Sequence, residues 1–179
     1  PAAMITRKVA PALAAGCPVV IKPAASTPYT ATALVELANR AGVPKGVINL
    51  LSVSENNVAD VGDELCTNQD IRKISFTGST NVGKKLIAKS ATTIKKVSME
   101  LGGHAPFIVF EDANLDEAVT GAMANKYRNS GQVCVSANRI YVHKNIYDEF
   151  AKKLAEKSAA LKVADGREQG AQIGPLITS

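Results

Sequence analysis

The chain has no tryptophan, only 4% aromatic residues, and no basic block interleaved with aromatics. Its 21 lysines and arginines outnumber 16 acidic residues, for a formal charge of +5. Apart from pairs such as Lys84-Lys85, Lys95-Lys96 and Lys152-Lys153, however, the basic residues are scattered. That pattern argues against nucleic-acid binding, although a mildly cationic surface attracts anionic substrates and phosphates. No apolar run reaches the ~20 residues needed to span a bilayer, so no membrane association is expected. No secretory leader is expected either: the stretch from Pro1 to Ile5 is too short and lacks a basic start. Three cysteines at wide spacings do not make a disulfide framework. Together these absences point to a reducing compartment, the cytoplasm. His104 and His143 share no ligand spacing with each other or with a cysteine, so no metal is assigned.

What is present suits a globular enzyme. A chain of 179 residues, 46% hydrophobic and 21% charged, can bury a real core. Residues 17–22 (CPVVIK) read as a buried strand. Thr27 caps a helix whose first residue is Pro28, with Leu34, Leu37 and Ala38 on one face and Gly42 and Pro44 ending it. Strands are expected at 47–53, 73–76 and 96–99, and helices at 57–65 and 82–91, the latter with Val82, Leu86 and Ile87 on one face. Strands alternating with helices predict an α/β fold built on a doubly wound, mostly parallel sheet. After Gly102-Gly103 another strand is expected at 105–110. Asn114 and Glu117 then make a capping box for a helix running through Ala118, Ala122 and Met123 toward Tyr127. Residues 139–143 read as a strand, and Ile146, Phe150, Leu154 and Leu161 as the stripe of a closing amphipathic helix. A domain boundary is placed near Gly102-Gly103, giving domains 1–101 and 102–179. The chain begins with Pro1 and ends at Gly174-Pro175-Leu176-Ile177-Thr178-Ser179 without a terminal element, so it is expected to be an internal piece of a longer protein.

Three short segments carry chemistry. Gly78-Ser79-Thr80-Asn81-Val82-Gly83-Lys84-Lys85 follows a strand and opens a helix, as a P-loop does. Lys85 occupies the place of the hydroxyl that would hold magnesium, which argues against nucleoside triphosphate hydrolysis. Nor is it the G-x-G-x-x-G dinucleotide fingerprint. Two readings stay open for the loop alone: a phosphate or pyrophosphate at a helix start, and a tight strand–helix turn. Met99-Glu100-Leu101-Gly102-Gly103 offers one carboxylate, expected to be half-buried between Met99 and Leu101. Asn129-Ser130-Gly131-Gln132-Val133-Cys134 offers a thiol on a Gly-containing turn. A thiol and a carboxylate suffice for acyl chemistry, in which a thiolate attacks a carbonyl and a carboxylate activates the water that releases the acyl group. Cys17 and Cys66 lie in apolar or helical contexts and read as inert thiols.

Taken together the sequence resembles the aldehyde dehydrogenase superfamily from end to end. The resemblance rests on Pro1 with Ile5-Thr6-Arg7-Lys8, Ile21-Lys22-Pro23-Ala24, Phe76-Thr77-Gly78-Ser79-Thr80 with Gly83, Met99 to Gly103, Gly131-Gln132 before Cys134, and Ile173-Gly174-Pro175-Leu176. Within it, Met4 to Lys8 and Tyr127-Arg128-Asn129-Ser130-Gly131-Gln132 look most like the members that oxidise succinate semialdehyde. The resemblance implies that Cys134 is the nucleophile, forming a thiohemiacetal that becomes a thioester once hydride passes to a nicotinamide, and that Glu100 activates the hydrolytic water. It implies a dinucleotide site made from Lys22, Pro23, Ala24, Ala25, Gly78, Ser79, Thr80, Asn81, Val82, Gly83 and Leu101. Lys22 would bond the adenosine ribose and Ser79 would touch the pyrophosphate. Arg7 and Arg128 match the arginines that hold a substrate's distal carboxylate, a task suited to bidentate guanidinium forks.

Relatives that prefer NAD often carry glutamate where this chain has Ala25. Alanine removes the repulsion of a 2′-phosphate, so NADP is expected to be accepted beside NAD, with Ser26 and Lys22 helping to hold that phosphate. The resemblance also implies that the oxyanion-hole asparagine would precede Pro1, a donor worth about 3 kcal/mol of barrier. The amide of Cys134 would then be a partial hole, and the isolated piece would turn over poorly if at all. At the position used by some relatives for a redox-switch cysteine stands Ser136, which excludes an adjacent disulfide. The parent is expected to form homodimers or homotetramers. Two alternatives remain: a different ω-carboxylated or simple aldehyde as substrate, and a nucleotide-binding piece without turnover.

Overall fold

Prolines and left-handed residues set the ends of the strands. In the computed structural model, which describes residues 2–177, the first strand β1 is Val19–Ile21. It is shorter than the expected 17–22 because Pro18 and Pro23 flank it and neither can donate to a ladder. The strand expected at 105–110 contracts to Phe107–Val109, since Ala105 has φ +41° and Pro106 has no N–H. Pro1, which opens the family resemblance, and Thr178 and Ser179 lie outside the described residues.

The chain divides into two compact units, Pro1–Leu101 and Gly102–Ser179. The first contains α1 (Ala2–Ala14), β1, α2 (Pro28–Arg40), β2 (Ile48–Leu50), α3 (Val58–Thr67), β3 (Lys73–Thr77), α4 (Thr80–Ser90) and β4 (Lys96–Glu100). Strands β1 and β2 pair in parallel, Val19 opposite Ile48 and Ile21 opposite Leu50. So do β3 and β4, from Lys73 opposite Lys96 to Thr77 opposite Glu100. The second unit holds β5 (Phe107–Val109), α5 (Leu115–Tyr127), β6 (Ile140–Val142) and α6 (Tyr147–Ala159), with β5 parallel to β6. The fold is α/β with parallel strands joined through helices, as the alternation predicts. Hydrogen bonds join the strands in pairs rather than in one continuous sheet.

Several local expectations are corrected. Helix α1 is not legible from periodicity, because Pro11 sits inside it. Thr27 does not cap α2 with its side chain; its N–H instead donates to Ala24 C=O at 3.1 Å. The buried face of α2 centres on Ala31, while Leu37 is exposed. On α4 the buried residues are Gly83 and Ser90, and Val82 and Ile87 face solvent. Asn114 Oδ1 accepts from the amides of Asp116 and Glu117 at 3.1 and 3.3 Å, which is half of the expected capping box. Leu161 falls beyond the end of α6. The core of the second unit gathers Val109, Val119, Ala122 and Phe150, with Phe107, Met123, Ile140, Val142 and Leu154 packed around them. Among the described residues no helix is long and apolar enough to cross a membrane.

Candidate functional site

Helix α5 stops because the chain turns left-handed. Arg128 leaves helical geometry at ψ 128°, then Asn129 (φ 52°, ψ 40°) and Ser130 (φ 57°, ψ 28°) follow, and Gly131 has φ +74°. Left-handed backbone costs an L-residue about 1–2 kcal/mol, and such strain collects where geometry serves function. At Gly131 the need for glycine is double, because a Cβ there would also lie 3.1 Å from Lys126 C=O. The turn is tied internally: Gln132 N–H donates to Asn129 C=O at 3.1 Å, and Asn129 Nδ2 donates to Gln132 C=O at 3.3 Å. It is also tied to the Ile173-Gly174-Pro175-Leu176 segment. Ser130 Oγ donates to Gly174 C=O at 3.5 Å, and Gln132 Oε1 accepts from Ile177 N–H at 3.0 Å. Beyond this turn Cys134 is an exposed free thiol, whereas Ser136 and Ala137 just after it are buried. An exposed thiol on a held loop can act as a nucleophile. Cys66, by contrast, is fully buried, and Cys17 is exposed.

In the first unit, Glu100 ends β4 opposite Thr77, and its C=O accepts from Gly78 N–H at 3.1 Å. The Glu100 side chain is exposed rather than half-buried as expected. Strand alternation explains this: Met99 and Leu101 are half-buried and Glu100 points to the other face. Leu101 packs on Gly83 so closely that a Cβ on Gly83 would lie 2.6 Å from Leu101 Cδ2. At the start of α4, Ser79 caps the helix, its Oγ accepting from Val82 N–H at 3.3 Å and its C=O from Gly83 N–H at 3.0 Å. The amides of Thr80 and Asn81, in the first turn, have no intrahelical acceptor. That turn carries no acidic residue, so it favours an anion. Gly78, Gly83, Glu100 and Leu101 thus gather at the carboxyl ends of β3 and β4.

Lys22, Pro23, Ala24 and Ala25 follow β1. Pro23, Ala24, Ala25 and Pro28 form one wall of a groove of about 190 Å³, and Ser52, Val53 and Ser54 line the rest. The Lys22 ammonium donates to Pro23 C=O, and partial burial lowers its pKa from the ordinary lysine value. A larger hollow of about 470 Å³ lies before β1 and β2, lined by Leu13, Gly16, Cys17, Pro18, Lys45, Gly46 and Val47. Ligands of open α/β sheets sit at the carboxyl ends of the strands, so the smaller groove is the better candidate.

The aldehyde dehydrogenase family model matches residues 1–179. The chain belongs to the aldehyde dehydrogenase family. It is similar to glutarate-semialdehyde dehydrogenase of Pseudomonas putida, 61% identical over 177 residues that make up 99% of this chain and 36% of that protein. It is also similar to the NADP(+) succinate-semialdehyde dehydrogenase of Escherichia coli, at 58% identity with 99% and 36% covered. The crystal structure of succinate-semialdehyde dehydrogenase from Burkholderia pseudomallei superposes with a TM-score of 0.96 at 58% identity, covering 100% of this chain and 36% of that one. The chain therefore spans about a third of the length of the curated relatives it matches.

In this aldehyde dehydrogenase chain Arg7 is exposed on α1 and Arg128 is exposed where the Cys134 loop begins. Arg7 and Glu100 belong to the first unit, Arg128 and Cys134 to the second. Sequence reasoning overlooked Ser52, Val53 and Ser54. The signal was available: they follow the apolar run of β2 as Pro23 to Ala25 follow that of β1, and parallel neighbours end side by side.

Proposed function

We propose that this chain carries the nucleophile and much of the dinucleotide site of an NADP-accepting aldehyde dehydrogenase whose substrate is succinate semialdehyde. Residues 1–101 are read as part of the dinucleotide-binding domain and 102–179 as the beginning of the catalytic domain. The observation that carries the reading is Cys134, an exposed thiol just beyond a left-handed turn held by named hydrogen bonds. Its thiolate attacks the aldehyde carbon and forms a C–S bond, while the Cys134 amide faces the developing oxyanion as a partial hole. Glu100 takes a proton from the water that later cleaves the acyl–Cys134 bond, a role its exposure permits. A working thiolate and free cysteines suit a reducing compartment such as the cytoplasm.

The residues present fit a dinucleotide. Lys22 to Ala25 and Ser52 to Ser54 border the groove, the first turn of α4 offers amides to a pyrophosphate, and Gly83 lets Leu101 close against the helix. When bound, NADP supplies the hydride acceptor. Ala25 carries no carboxylate to repel a 2′-phosphate, and Lys22 and Ser26 are assigned to receive it. The NADP(+) named for the Escherichia coli relative, at 58% identity, supports this choice. Arg7 and Arg128 are assigned to the substrate's distal carboxylate.

The test is NADPH formation by the full-length protein that contains this chain, with succinate semialdehyde, glutarate semialdehyde and butanal, in the parent and in Arg128→Ala. A strong preference for the acidic aldehydes that collapses in the variant is expected. Equal rates with butanal, unaltered by the substitution, would remove the carboxylate clamp and the substrate assignment. The second reading, glutarate semialdehyde, is favoured by the 61% identity to the Pseudomonas putida enzyme of that name. The ratio of kcat/KM for the two semialdehydes decides between them.

A further inference from the structure

The arm that follows Cys134 is fastened to the last turn of α5 by a tight group of contacts. Asn125 Nδ2 donates to Val135 C=O at 3.2 Å, and Asn125 Oδ1 accepts from Ala137 N–H at 2.7 Å. Next to it, Lys126 C=O accepts from Ser136 Oγ at 3.4 Å, and Lys126 Nζ donates to Asn138 Oδ1 at 3.3 Å. Asn138 continues the chain of bonds: its Nδ2 donates to Gly103 C=O at 3.2 Å and its N–H to His104 C=O at 2.9 Å.

The Asn125 pair is the most specific of these. One amide group uses its donor and its acceptor on backbone groups two residues apart, as a neighbouring strand would. It therefore sets the register of the loop against the helix and not merely their proximity. Ser136 and Ala137 are 2% and 3% exposed, so their polar groups are cut off from water and need protein partners. The preceding arm is held independently, through Ser130 and Gln132. Cys134 and Val135 stay exposed between the two anchorages.

We propose that Asn125 is a positioning residue for the Cys134 thiol: by bridging Val135 and Ala137 it fixes the arm on the far side of the nucleophile and so the direction of attack. It acts through the backbone and touches no substrate, and Ser136 supports it with a second latch onto Lys126. The proposal rests on the reading of Cys134 as the nucleophile. A displacement of about 1 Å in a reacting group can lower a rate about a hundredfold, so a loosened arm is felt in kcat.

The test uses the full-length protein with Asn125→Ala and Asn125→Asp, both assayed for kcat, KM for the semialdehyde, NADP affinity, thermal midpoint and the pH profile of Cys134 alkylation by iodoacetamide. Asn125→Ala is expected to lower kcat about tenfold or more while KM and NADP affinity stay within about twofold. Asn125→Asp has the same shape and guards against a folding failure. It keeps the bond from Ala137 but sets an acceptor against Val135 C=O, so kcat falls. Unchanged kcat in both variants would overturn the proposal. So would losses in kcat matched by equal losses in NADP affinity and thermal midpoint, the pattern of a merely structural residue. Cys134→Ser separates the two levels. Turnover surviving that change removes the nucleophile and Asn125's role with it, whereas turnover abolished there but intact in both Asn125 variants removes the positioning role alone.

Discussion

Gly131 is the residue at which the geometry of the thiol loop is most exposed to a single change. Replacing it with alanine has two physical consequences. Its φ of +74° lies where an L-residue pays about 1–2 kcal/mol. The new Cβ would also lie 3.1 Å from Lys126 C=O, a backbone atom in the helix turn that anchors the following arm, so the contact is relieved only by moving that turn or the loop. Taking the dihedral cost alone, the balance between the present arrangement and its alternatives shifts by a factor of about 5–30, and kcat should fall by up to that factor. Gly131→Asn is expected to retain more activity, since asparagine tolerates the left-handed region better than alanine does. Gly170→Ala is the control: its φ is +78° but a Cβ there meets nothing within 4 Å, so it pays the dihedral cost away from the thiol. Steady-state kcat of the full-length protein and the alkylation rate of Cys134 read the effect. Equal kcat for Gly131→Ala and the parent, or an equal loss in Gly170→Ala, would refute the reasoning.

Other outcomes follow from the same structure. Phe150, 2% exposed at the centre of the second unit's core, should cost about 3–5 kcal/mol as Phe150→Ala, read as a large fall in denaturation midpoint. Lys22 is charged at a pKa lowered by burial, so the folded state bears a penalty below that pKa that fades as pH rises toward the ordinary lysine range. Lys22→Met should raise the thermal midpoint of the cofactor-free protein at neutral pH while weakening NADP binding; a loss on both measures would refute it. Asp116 is held below its ordinary carboxyl value by the hydrogen bond and charge of Lys153, whose Nζ lies 2.7 Å away and links α5 to α6. An acid with a lowered folded pKa stabilises above its unfolded value and loses that support as pH falls through the folded one. Asp116→Asn should thus lower the thermal midpoint slightly at neutral pH, with the gap closing in acid.

Some local features around the family's motifs were legible because each has a local cause. The loop from Gly78 could be read as opening a helix from strand and glycine signals in order, although the helix was expected from Val82 and begins at Thr80, with Ser79 Oγ capping it. Asn114 was legible as an N-cap because that interaction spans a few residues. Other features misled the eye for equally physical reasons. Leu37 and Ile87 fall on a helical stripe yet are exposed, because the helices approach their neighbours through small residues: Ala31 on α2 and Gly83 on α4. Pro11 hides a helix that forms around it. Glu100 sits between apolar neighbours in sequence, but the pleat of the strand turns it away from them.

From its sequence alone this protein determined its family, the alternation of strands and helices, and the residue types offered for chemistry, since these depend on composition, propensity and spacing within short windows. The tertiary structure alone decided which contacts hold the thiol. Nothing in the spacing of Asn125, Val135 and Ala137 says that one amide will bridge the two backbone groups, and the strand-end signal at Ser52 to Ser54 becomes a groove with Pro23 only in the fold. Those relations exist only once parallel strands set their carboxyl ends side by side and a helix folds back against the loop that leaves it, because hydrogen bonds across such separations form only when the backbone between them has already been ordered.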